Sequence, residues 1–273
     1  MALLKTNIDE AIQRVEDWKG ASISYESVPG GITNPNYKVD VDGKKYFLKI
    51  PGAGTDFIDR DNCHAANVIA DESGAGPRVC YYFKDTGVEI FEWLDGYRTL
   101  AIGDVFDEAI FTKIFEKIAA FHNISGRTLP LRQNVFEQAY DMMDRAKQGK
   151  YMPPWQSKME YLLHVCEDAI RNNGIVEKPC HNDFWTNNLM YNAEKDDLKI
   201  IDFEYASMND PYYDLGVCAL CYFTEDMDVR LCKIYHGGEF DEIGFAKEKL
   251  YKIIGDIKWS YWALQQAINS DVN

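Results

Sequence analysis

The chain has 273 residues, of which 46% are hydrophobic, enough for a sizeable core in one large domain or two lobes. With 29 basic and 44 acidic residues its net charge is −15, which disfavours nucleic acid and anionic lipid as partners and modestly favours a cationic small molecule. No apolar run is long enough to span a bilayer, no secretory signal opens the chain, and seven scattered cysteines indicate reduced thiols, so a cytoplasmic protein without membrane insertion is expected.

The first third of the chain predicts a small sheet with one long helix. Apolar residues at helical spacing between positions 8 and 18 predict a short opening helix. Strands are predicted over 22–28, 37–41, 46–50, 78–83 and 88–93. Asp42-Gly43 is a typical hairpin turn, and a helix over 60–72 is closed by the glycines that follow it.

The remainder is mainly helical. A long amphipathic helix is predicted over 104–122, and further helices over 135–147, 155–173, 213–223, 226–236 and 244–268. Two short strands around 188–191 and 198–201 lie inside this half. The pattern predicts an α+β, bilobal protein with a β-rich lobe over residues 1–93, a larger helical lobe over 94–273, and a ligand cleft between them.

Two motifs flank those short strands. His181-Asn182-Asp183-Phe184-Trp185-Thr186-Asn187-Asn188 has the form H-x-D-x-x-x-x-N, and a hydrophobic strand ending in Asp202 follows. On a kinase-like scaffold Asp183 can accept the proton of an acceptor hydroxyl, while Asn188 and Asp202 can hold Mg²⁺ against the phosphates of ATP. Each residue alone would be an ordinary turn residue, but the ordered pair of motifs predicts phosphoryl transfer.

These motifs, with Ile201-Asp202-Phe203-Glu204-Tyr205 and the later Asn209 and Asp214, resemble the choline/ethanolamine kinase family, particularly its bacterial phosphocholine-forming type. That family lies within the aminoglycoside-phosphotransferase group of protein-kinase-like folds, and the resemblance runs from Gly30 to about Ala267. It implies a nucleotide-binding N-terminal lobe and a catalytic, substrate-binding C-terminal lobe. It also implies phosphorylation of the hydroxyl of a small amino alcohol by ATP and Mg²⁺.

In the N-terminal lobe the resemblance implies the nucleotide site. The residues at the place of the family's phosphate loop are Gly30, Gly31, Thr33 and Asn34. Paired glycines let backbone N–H groups approach phosphates, and Lys49 corresponds to the strand lysine that neutralises phosphate charge. The hinge, which offers backbone groups to adenine, is implied over 91–94 and includes Glu92, Trp93 and Leu94.

In the C-terminal lobe the resemblance implies an aromatic acceptor site. Trp259 and Trp262 share one helix face and can hold a quaternary ammonium against their rings, although a tryptophan stripe on a helix is by itself more typical of a core. The further acceptor candidates are Trp185, Glu204 and Tyr205. His181 is expected to orient the catalytic loop, and Asp214 to brace it.

The chain departs from the family pattern at two acidic positions. Cys63 stands where the family has a helix glutamate that pairs with the strand lysine, so Asp61 or another carboxylate must substitute, or ATP alone holds the lysine. Cys221 stands where the family often has a glutamate facing the substrate ammonium; Glu225 or Asp226 is the expected replacement.

Choline is the first candidate acceptor, since rings favour a methylated ammonium and a primary one needs hydrogen-bond acceptors. Ethanolamine, an aminoglycoside or a thiamine-like compound is the alternative within the enzyme class. A pseudokinase binding module is favoured only by Cys63, and the retained Asp183, Asn188 and Lys49 argue against it.

A structural zinc site is a separate hypothesis. Cys218, Cys221, Cys232 and His236 have spacings that zinc permits. The first two cysteines lie in an apolar run that predicts a buried helix, where free cysteine behaves as a small hydrophobe, so zinc is disfavoured.

Overall fold

The structure is a computed structural model that describes residues 3–29, 34–147, 153–220 and 223–269, with no side chain described beyond 266. Gly30, Gly31 and Thr33, predicted at the phosphate loop, lie outside the described residues, as does Cys221.

A five-stranded antiparallel sheet forms the N-terminal part of the molecule, in the order β1-β2-β3-β5-β4. Its strands are β1 Ile23–Ser27, β2 Asn36–Val41, β3 Lys44–Lys49, β4 Val79–Phe83 and β5 Val88–Glu92. Asp42 (φ 51°) and Gly43 (φ 86°) form the predicted β2–β3 turn, where two positive φ angles match the right-handed twist of the strands. The short helix α1 (Ile8–Gln13) packs with Trp18 on the apolar face of this sheet.

The helix α2 (Arg60–Glu72) joins this sheet to the helical half, and the structure confirms its predicted bounds. Asp59 caps it by accepting the Asn62 N–H at 3.0 Å. Its small apolar residues Ala66, Ile69 and Ala70 belong to the same core as Phe115 and Ile200 of the C-terminal half. Burial of this stripe therefore fixes α2 against the other lobe.

The rest of the chain contains the remaining helices and five short strands in two small sheets. The helices are α3 Glu108–His122, α4 Val135–Lys147, α5 Gln156–Asn172, α6 Tyr212–Ala219, α7 Glu225–Tyr235 and α8 Glu242–Asn269. The strands are β6 Arg98–Thr99, β7 Lys178–Cys180, β8 Leu189–Asn192, β9 Asp197–Ile200 and β10 Ser207–Asn209, which pair as β6-β8-β9 and β10-β7. The sequence did not predict β6, β7 or β10, since two or three residues are too few for an alternating pattern.

The helix predicted over 104–122 begins later than expected. Asp107 is its N-cap and accepts from the Ala109 and Ile110 N–H groups, so the preceding segment Ile102–Phe106 forms a separate 3₁₀ turn. Asp107 has an extended backbone, so the turn before it and α3 after it are not one continuous helix. The spacing of apolar residues does not reveal such a break.

Helix α8 is the long element that carries the predicted acceptor tryptophans, and α4, α5 and α6 pack along it. The approach of α6 is close because Gly216 has no side chain: a Cβ there would lie 2.7 Å from the Lys252 backbone nitrogen. Within the described ranges, none of the helices combines the length and the apolar character that a bilayer crossing requires.

Candidate active site

The loop 181–188 leaves β7 and is held in place by one buried carboxylate. Asp214, in the first turn of α6, accepts the N–H groups of His181 and Asn182, both at 2.7 Å, and is paired with His122 Nε2 at 3.0 Å. Asn182 has a left-handed backbone with φ 65°. Asp214 is fully buried, so these bonds fix the loop strongly, which is the bracing role that the sequence indicated.

His181 connects the two sequence motifs. Its Nε2–H donates to the Ile201 carbonyl at 2.9 Å, and its Nδ1 accepts the Asp183 N–H at 3.2 Å. One ring nitrogen donates and the other accepts, so both are engaged. The ring is thus a positioning group that sets the distance between the loop and the end of β9.

Asp183, Asn188 and Asp202 are brought together where the loop 181–188 meets the end of β9. Asn188 Nδ2 donates to the Asp183 backbone oxygen at 2.8 Å and to its carboxylate at 3.1 Å, while the Ile201 N–H donates to the Asn188 carbonyl at 2.9 Å. Asp202 follows β9 with a left-handed backbone, φ 67°. The Asn188 Oδ1 and the Asp202 carboxylate are oxygen ligands of the kind Mg²⁺ prefers.

Burial raises the pKa of Asp183 above its ordinary value, and the nearby Asp202 carboxylate raises it further. His181, the Asn188 hydrogen bond and the Lys258 ammonium oppose this shift. A carboxylate with a raised pKa is a better proton acceptor than one in water, so the arrangement can serve a general base.

Lys49 extends from β3 to two carboxylates that follow β9. Its Nζ lies 2.9 Å from Asp202 Oδ1 and 2.9 Å from Glu204 Oε1. Burial acts to lower the pKa of Lys49, but the attraction of Asp202 and Glu204 outweighs it and the pKa is raised. The lysine is therefore a fixed cation beside the predicted metal ligands.

Glu204, predicted from the sequence as an acceptor ligand, is instead the centre of a buried network. Its Oε1 accepts from Lys49, from Arg60 at 2.8 Å and from Asn34 at 2.5 Å. Burial opposes its ionisation, yet the Lys49 and Arg60 cations with their hydrogen bonds lower the pKa of Glu204 to about 2. Asn34, predicted at the phosphates, lies in this network too, with its Oδ1 accepting from Arg60 at 3.0 Å.

This network answers the question raised by Cys63. The Cys63 thiol is buried and lies 3.7 Å from the Glu204 backbone oxygen. A thiol cannot replace the helix glutamate of the family as the anionic partner of Lys49. Asp61, the alternative offered by the sequence, bonds instead to Tyr82 and Lys84 on the surface. The carboxylate that pairs with Lys49 comes from the C-terminal lobe, and Arg60, one turn before Cys63, holds it.

The substitution Cys63→Glu restores the residue type that the family has at this position, but we expect it to destabilise the fold. The new carboxylate would be buried beside Glu204, so we expect the free energy of unfolding in urea to fall by about 2–3 kcal/mol. Cys63→Ser is the matched control with no charge. A Cys63→Glu variant as stable as the control would contradict the assignment of Glu204 as the partner of Lys49.

The hinge residues close the sheet at the end of β5. The Glu92 N–H donates to the Arg78 carbonyl at 3.0 Å, and the Trp93 N–H donates to the Lys45 carbonyl at 3.4 Å. The Leu94 carbonyl accepts the Tyr97 N–H at 3.3 Å. The N–H groups of Glu92 and Trp93 are thus engaged within the sheet. Their role toward adenine remains a prediction.

Three tryptophan rings, one from the loop 181–188 and two from α8, form a continuous cluster. The Trp185 and Trp259 ring centroids are 6.0 Å apart in an edge-to-face pair, and those of Trp259 and Trp262 are 5.8 Å apart. Trp262 is 41% exposed and Tyr205 is 47% exposed, so both rings are open to solvent. Burial raises the pKa of Tyr205, and the charges of Asp183, Glu204 and Asp202 raise it further, which puts its hydroxyl in the field of the same carboxylates.

Glu225 does not join these rings. It begins α7, is exposed, and acts electrostatically on Lys249. Lys249 precedes Trp259 by ten residues, which is about 15 Å along α8. The sequence placed Glu225 one turn beyond Cys221 on a continuing helix, but α6 ends at Ala219 and α7 starts anew at Glu225.

The sequence analysis did not single out two residues that lie at the candidate site, Arg60 and Lys258. Lys258 interrupts the buried stripe of α8 formed by Tyr251, Ile254 and Tyr261. A lysine at the helical spacing of a core stripe was a visible signal. The sequence contains no comparable signal for Arg60, because its partner Glu204 lies far away in the sequence.

The zinc hypothesis finds no support in the described part of the chain. There, Cys218, Cys232 and His236 are not gathered into a cluster of metal-binding size. Cys218 lies in the core, and the Cys232 thiol lies 3.4 Å from the Asp241 carbonyl.

The model of the choline/ethanolamine kinase family matches residues 25–234, well over half of the chain. The chain belongs to the choline/ethanolamine kinase family. It is therefore an ATP-dependent phosphotransferase with an alcohol group as acceptor, of the family that acts on small amino alcohols.

Curated relatives from a bacterium and a eukaryote are similar to most of the chain. The LicA protein of Haemophilus influenzae is 23% identical over 252 residues, covering 88% of this chain and 73% of its own. The probable ethanolamine kinase A of Dictyostelium discoideum is 25% identical over 293 residues, covering 93% and 82%.

Solved structures share the fold. A choline/ethanolamine kinase family protein from Mesorhizobium loti has a TM-score of 0.82 and 25% identity, covering 97% of this chain and 88% of its own. Choline kinase LicA from Streptococcus pneumoniae has a TM-score of 0.75 and 23% identity, covering 96% and 92%. A putative aminoglycoside phosphotransferase from Ralstonia eutropha, at 15% identity, has a TM-score of 0.63 and covers 90% and 94%. The predicted α+β, protein-kinase-like fold is confirmed.

Proposed function

We propose that this kinase is a choline kinase, which transfers the γ-phosphoryl group of ATP to the hydroxyl of choline and releases phosphocholine and ADP. The observation that carries the proposal is that Trp185, two residues beyond Asp183 on the same loop, packs edge-to-face on Trp259, in an aromatic wall formed by Trp185, Trp259 and Trp262. A proton acceptor and a ring surface for a cation thus belong to one loop, which suits an alcohol that bears an ammonium.

Asp183 acts as the general base. It accepts the proton of the acceptor hydroxyl while that oxygen attacks the γ-phosphorus and the bond to the β-phosphate oxygen breaks. The Asn188 amide holds the carboxylate in place at 3.1 Å, and the His181 ring holds the loop. These positioning contacts reduce the entropy cost of bringing the reacting groups together.

Lys49 binds phosphate oxygens, and the Glu204–Arg60 pair keeps its ammonium at the cleft. Lys49 carries a fixed positive charge at the level of Asp202, where the phosphates of ATP need neutralising. In this proposal residues 1–93 form the nucleotide lobe and residues 94–273 the catalytic lobe.

Asn188 and Asp202 would hold Mg²⁺. Their amide and carboxylate oxygens suit this ion, and Nδ2 of Asn188 already donates to Asp183, which leaves Oδ1 as its ligand atom. When bound, the ion neutralises charge on the β- and γ-phosphates.

Choline is favoured over ethanolamine by the chemistry of the wall. The rings of Trp185, Trp259 and Trp262 offer π faces, which suit methyl groups that carry a positive charge. A primary ammonium needs acceptor oxygens, and Glu225, exposed at the start of α7, acts electrostatically on Lys249 instead. Ethanolamine is the second candidate, since a relative named as a probable ethanolamine kinase covers 93% of the chain.

An ATP-consumption assay across choline, methylated ethanolamines, ethanolamine and an aminoglycoside panel tests the proposal. We expect the largest kcat/KM for choline and loss of turnover when EDTA removes divalent cations. A higher kcat/KM for ethanolamine would overturn the choice of acceptor. Absence of turnover with every acceptor, together with a thermal shift by ATP, would favour a binding module.

Trp259→Ala is expected to raise the KM for choline by roughly 3- to 30-fold with little change in kcat, since a ring contributes about 0.5–2 kcal/mol to binding a desolvated cation. The matched control is Trp155→Ala, an exposed tryptophan outside the wall. An unchanged KM in steady-state kinetics would remove Trp259 from the acceptor site.

A further inference from the structure

Lys258 places a second cation next to the acceptor wall. It directly precedes Trp259 on α8 and is only 6% exposed. Its Nζ donates to the Tyr213 hydroxyl at 3.1 Å and lies 5.1 Å from the Tyr213 ring centroid and 5.4 Å from that of Trp259. The ammonium therefore already occupies a cation position against a ring of the proposed choline site.

The charged groups that act on this ammonium come from the catalytic loop and from α6. They are the carboxylates of Asp183 and Asp214, and both favour the charged form. Among the described residues, the ammonium donates one hydrogen bond, to the hydroxyl of Tyr213, which also lies on α6. The Asp214 carboxylate is already committed to the amides of His181 and Asn182, so Asp183 is the counter-charge that Lys258 shares with the reaction.

Burial outweighs these carboxylates and lowers the pKa of Lys258 to about 8. A lysine with this pKa is mostly charged at neutral pH but loses its proton readily when a neighbouring positive charge appears. Choline is a permanent cation, so its arrival at the Trp259 ring brings a like charge close to the ammonium in a largely dry region.

We propose that Lys258 is a specificity-determining residue, whose ammonium competes with the cationic group of the acceptor for the Trp259 face and must give up its proton to solvent when that group binds. This inference rests on the proposed function. In the resting enzyme the Lys258 ammonium lies in the field of Asp183 and near the Trp259 ring; in the complex the acceptor's cation takes over that position.

The consequence is a pH dependence of acceptor affinity that choline itself cannot cause, because a quaternary ammonium has no titrating proton. The form of the enzyme that binds choline well is the one with neutral Lys258, and this form increases as pH rises toward the pKa of Lys258. The KM for choline should therefore fall with rising pH, and choline binding should release a proton.

The test is steady-state kinetics at saturating ATP and magnesium over about pH 6.5 to 8.5, for wild type and Lys258→Met. We expect the wild-type KM for choline to fall roughly tenfold across this range and the variant's KM to be low and flat. Lys158→Met, an exposed lysine on α5, is the matched control and should follow wild type. Tyr213→Phe removes the hydroxyl that accepts from the ammonium, so its midpoint should move to lower pH.

Calorimetry of choline binding in buffers of different ionisation enthalpy gives a second readout, with close to one proton released per choline near pH 7 in wild type and none in Lys258→Met. Turnover of choline with a flat wild-type KM, or an unchanged slope in Lys258→Met, overturns this inference alone. Failure of every amino alcohol to bind or react overturns the proposed function and this inference with it.

Discussion

Asp183→Asn is expected to lower kcat roughly 10³-fold while ATP still binds, since general-base catalysis contributes about 10²–10⁴ in rate. An asparagine can still accept the hydrogen bond from Asn188 Nδ2, so the loop keeps its shape and only the proton acceptor is lost. Wild-type kcat should also fall toward acid pH, because burial raises the pKa of Asp183 and protonation removes the base. This acid limb should be absent from the residual activity of the variant.

The matched control is Asp168→Asn, which removes an exposed carboxylate of α5 and should leave kcat unchanged. The measurements are kcat against pH and a thermal shift with ATP. An unchanged kcat in Asp183→Asn would remove this residue as the base; a lost thermal shift would mean that the substitution disturbs the nucleotide site instead.

The part of the site that the sequence predicted is the part encoded in short spacings. Asp183 and Asn188 are five residues apart and meet because one loop closes on itself. His181 reaches the Ile201 carbonyl across a two-stranded hairpin, β8–β9, whose register fixes the separation. Such geometry depends on the local backbone conformation, so the residue types and their spacing in the sequence predict it well.

The Lys49 contacts show where such prediction stops. The sequence left open which carboxylate replaces the missing helix glutamate, and it placed Glu204 at the acceptor. Glu204 turns toward α2 because the buried Arg60 cation there needs an anion, and the Asn34 amide donates to the same oxygen. Their positions depend on how α2 packs on the C-terminal core, which no spacing within either motif specifies.

Helix α8 gives the same lesson for the acceptor site. The spacing of Trp259 and Trp262 predicted a shared face correctly, and their ring centroids are 5.8 Å apart. The contact with Trp185 and the burial of Lys258 depend on how α8 packs on the loop 181–188 and on α6, which is a tertiary feature. The predicted continuation of one helix to Glu225 is wrong, because α6 ends at Ala219 and α7 begins at Glu225.

Glu204→Gln is expected to lower the free energy of unfolding by about 3 kcal/mol at pH 7, since it leaves the buried Arg60 and the nearby Lys49 without their shared anion. The Glu204 side chain is 6% exposed, so solvent screens these pairs little. Its pKa falls from 4.5 to about 2 on folding, so this stability is present above about pH 4.5 and is lost as pH drops toward 2. The variant's deficit in urea should therefore shrink between pH 5 and pH 3.

Asp61→Asn is the matched control on the same helix, one residue after Arg60. Its carboxylate pairs with Lys84 at the surface, where both side chains are largely solvated, so a loss below about 0.5 kcal/mol is expected at either pH. The Glu204→Gln variant should also show a raised KM for ATP, because Lys49 keeps only Asp202, which the metal shares in our proposal. Equal losses in the two variants would mean that the network is an ordinary surface ion pair. A stability loss with unchanged ATP kinetics would mean that it braces the lobes without holding Lys49 for the phosphates.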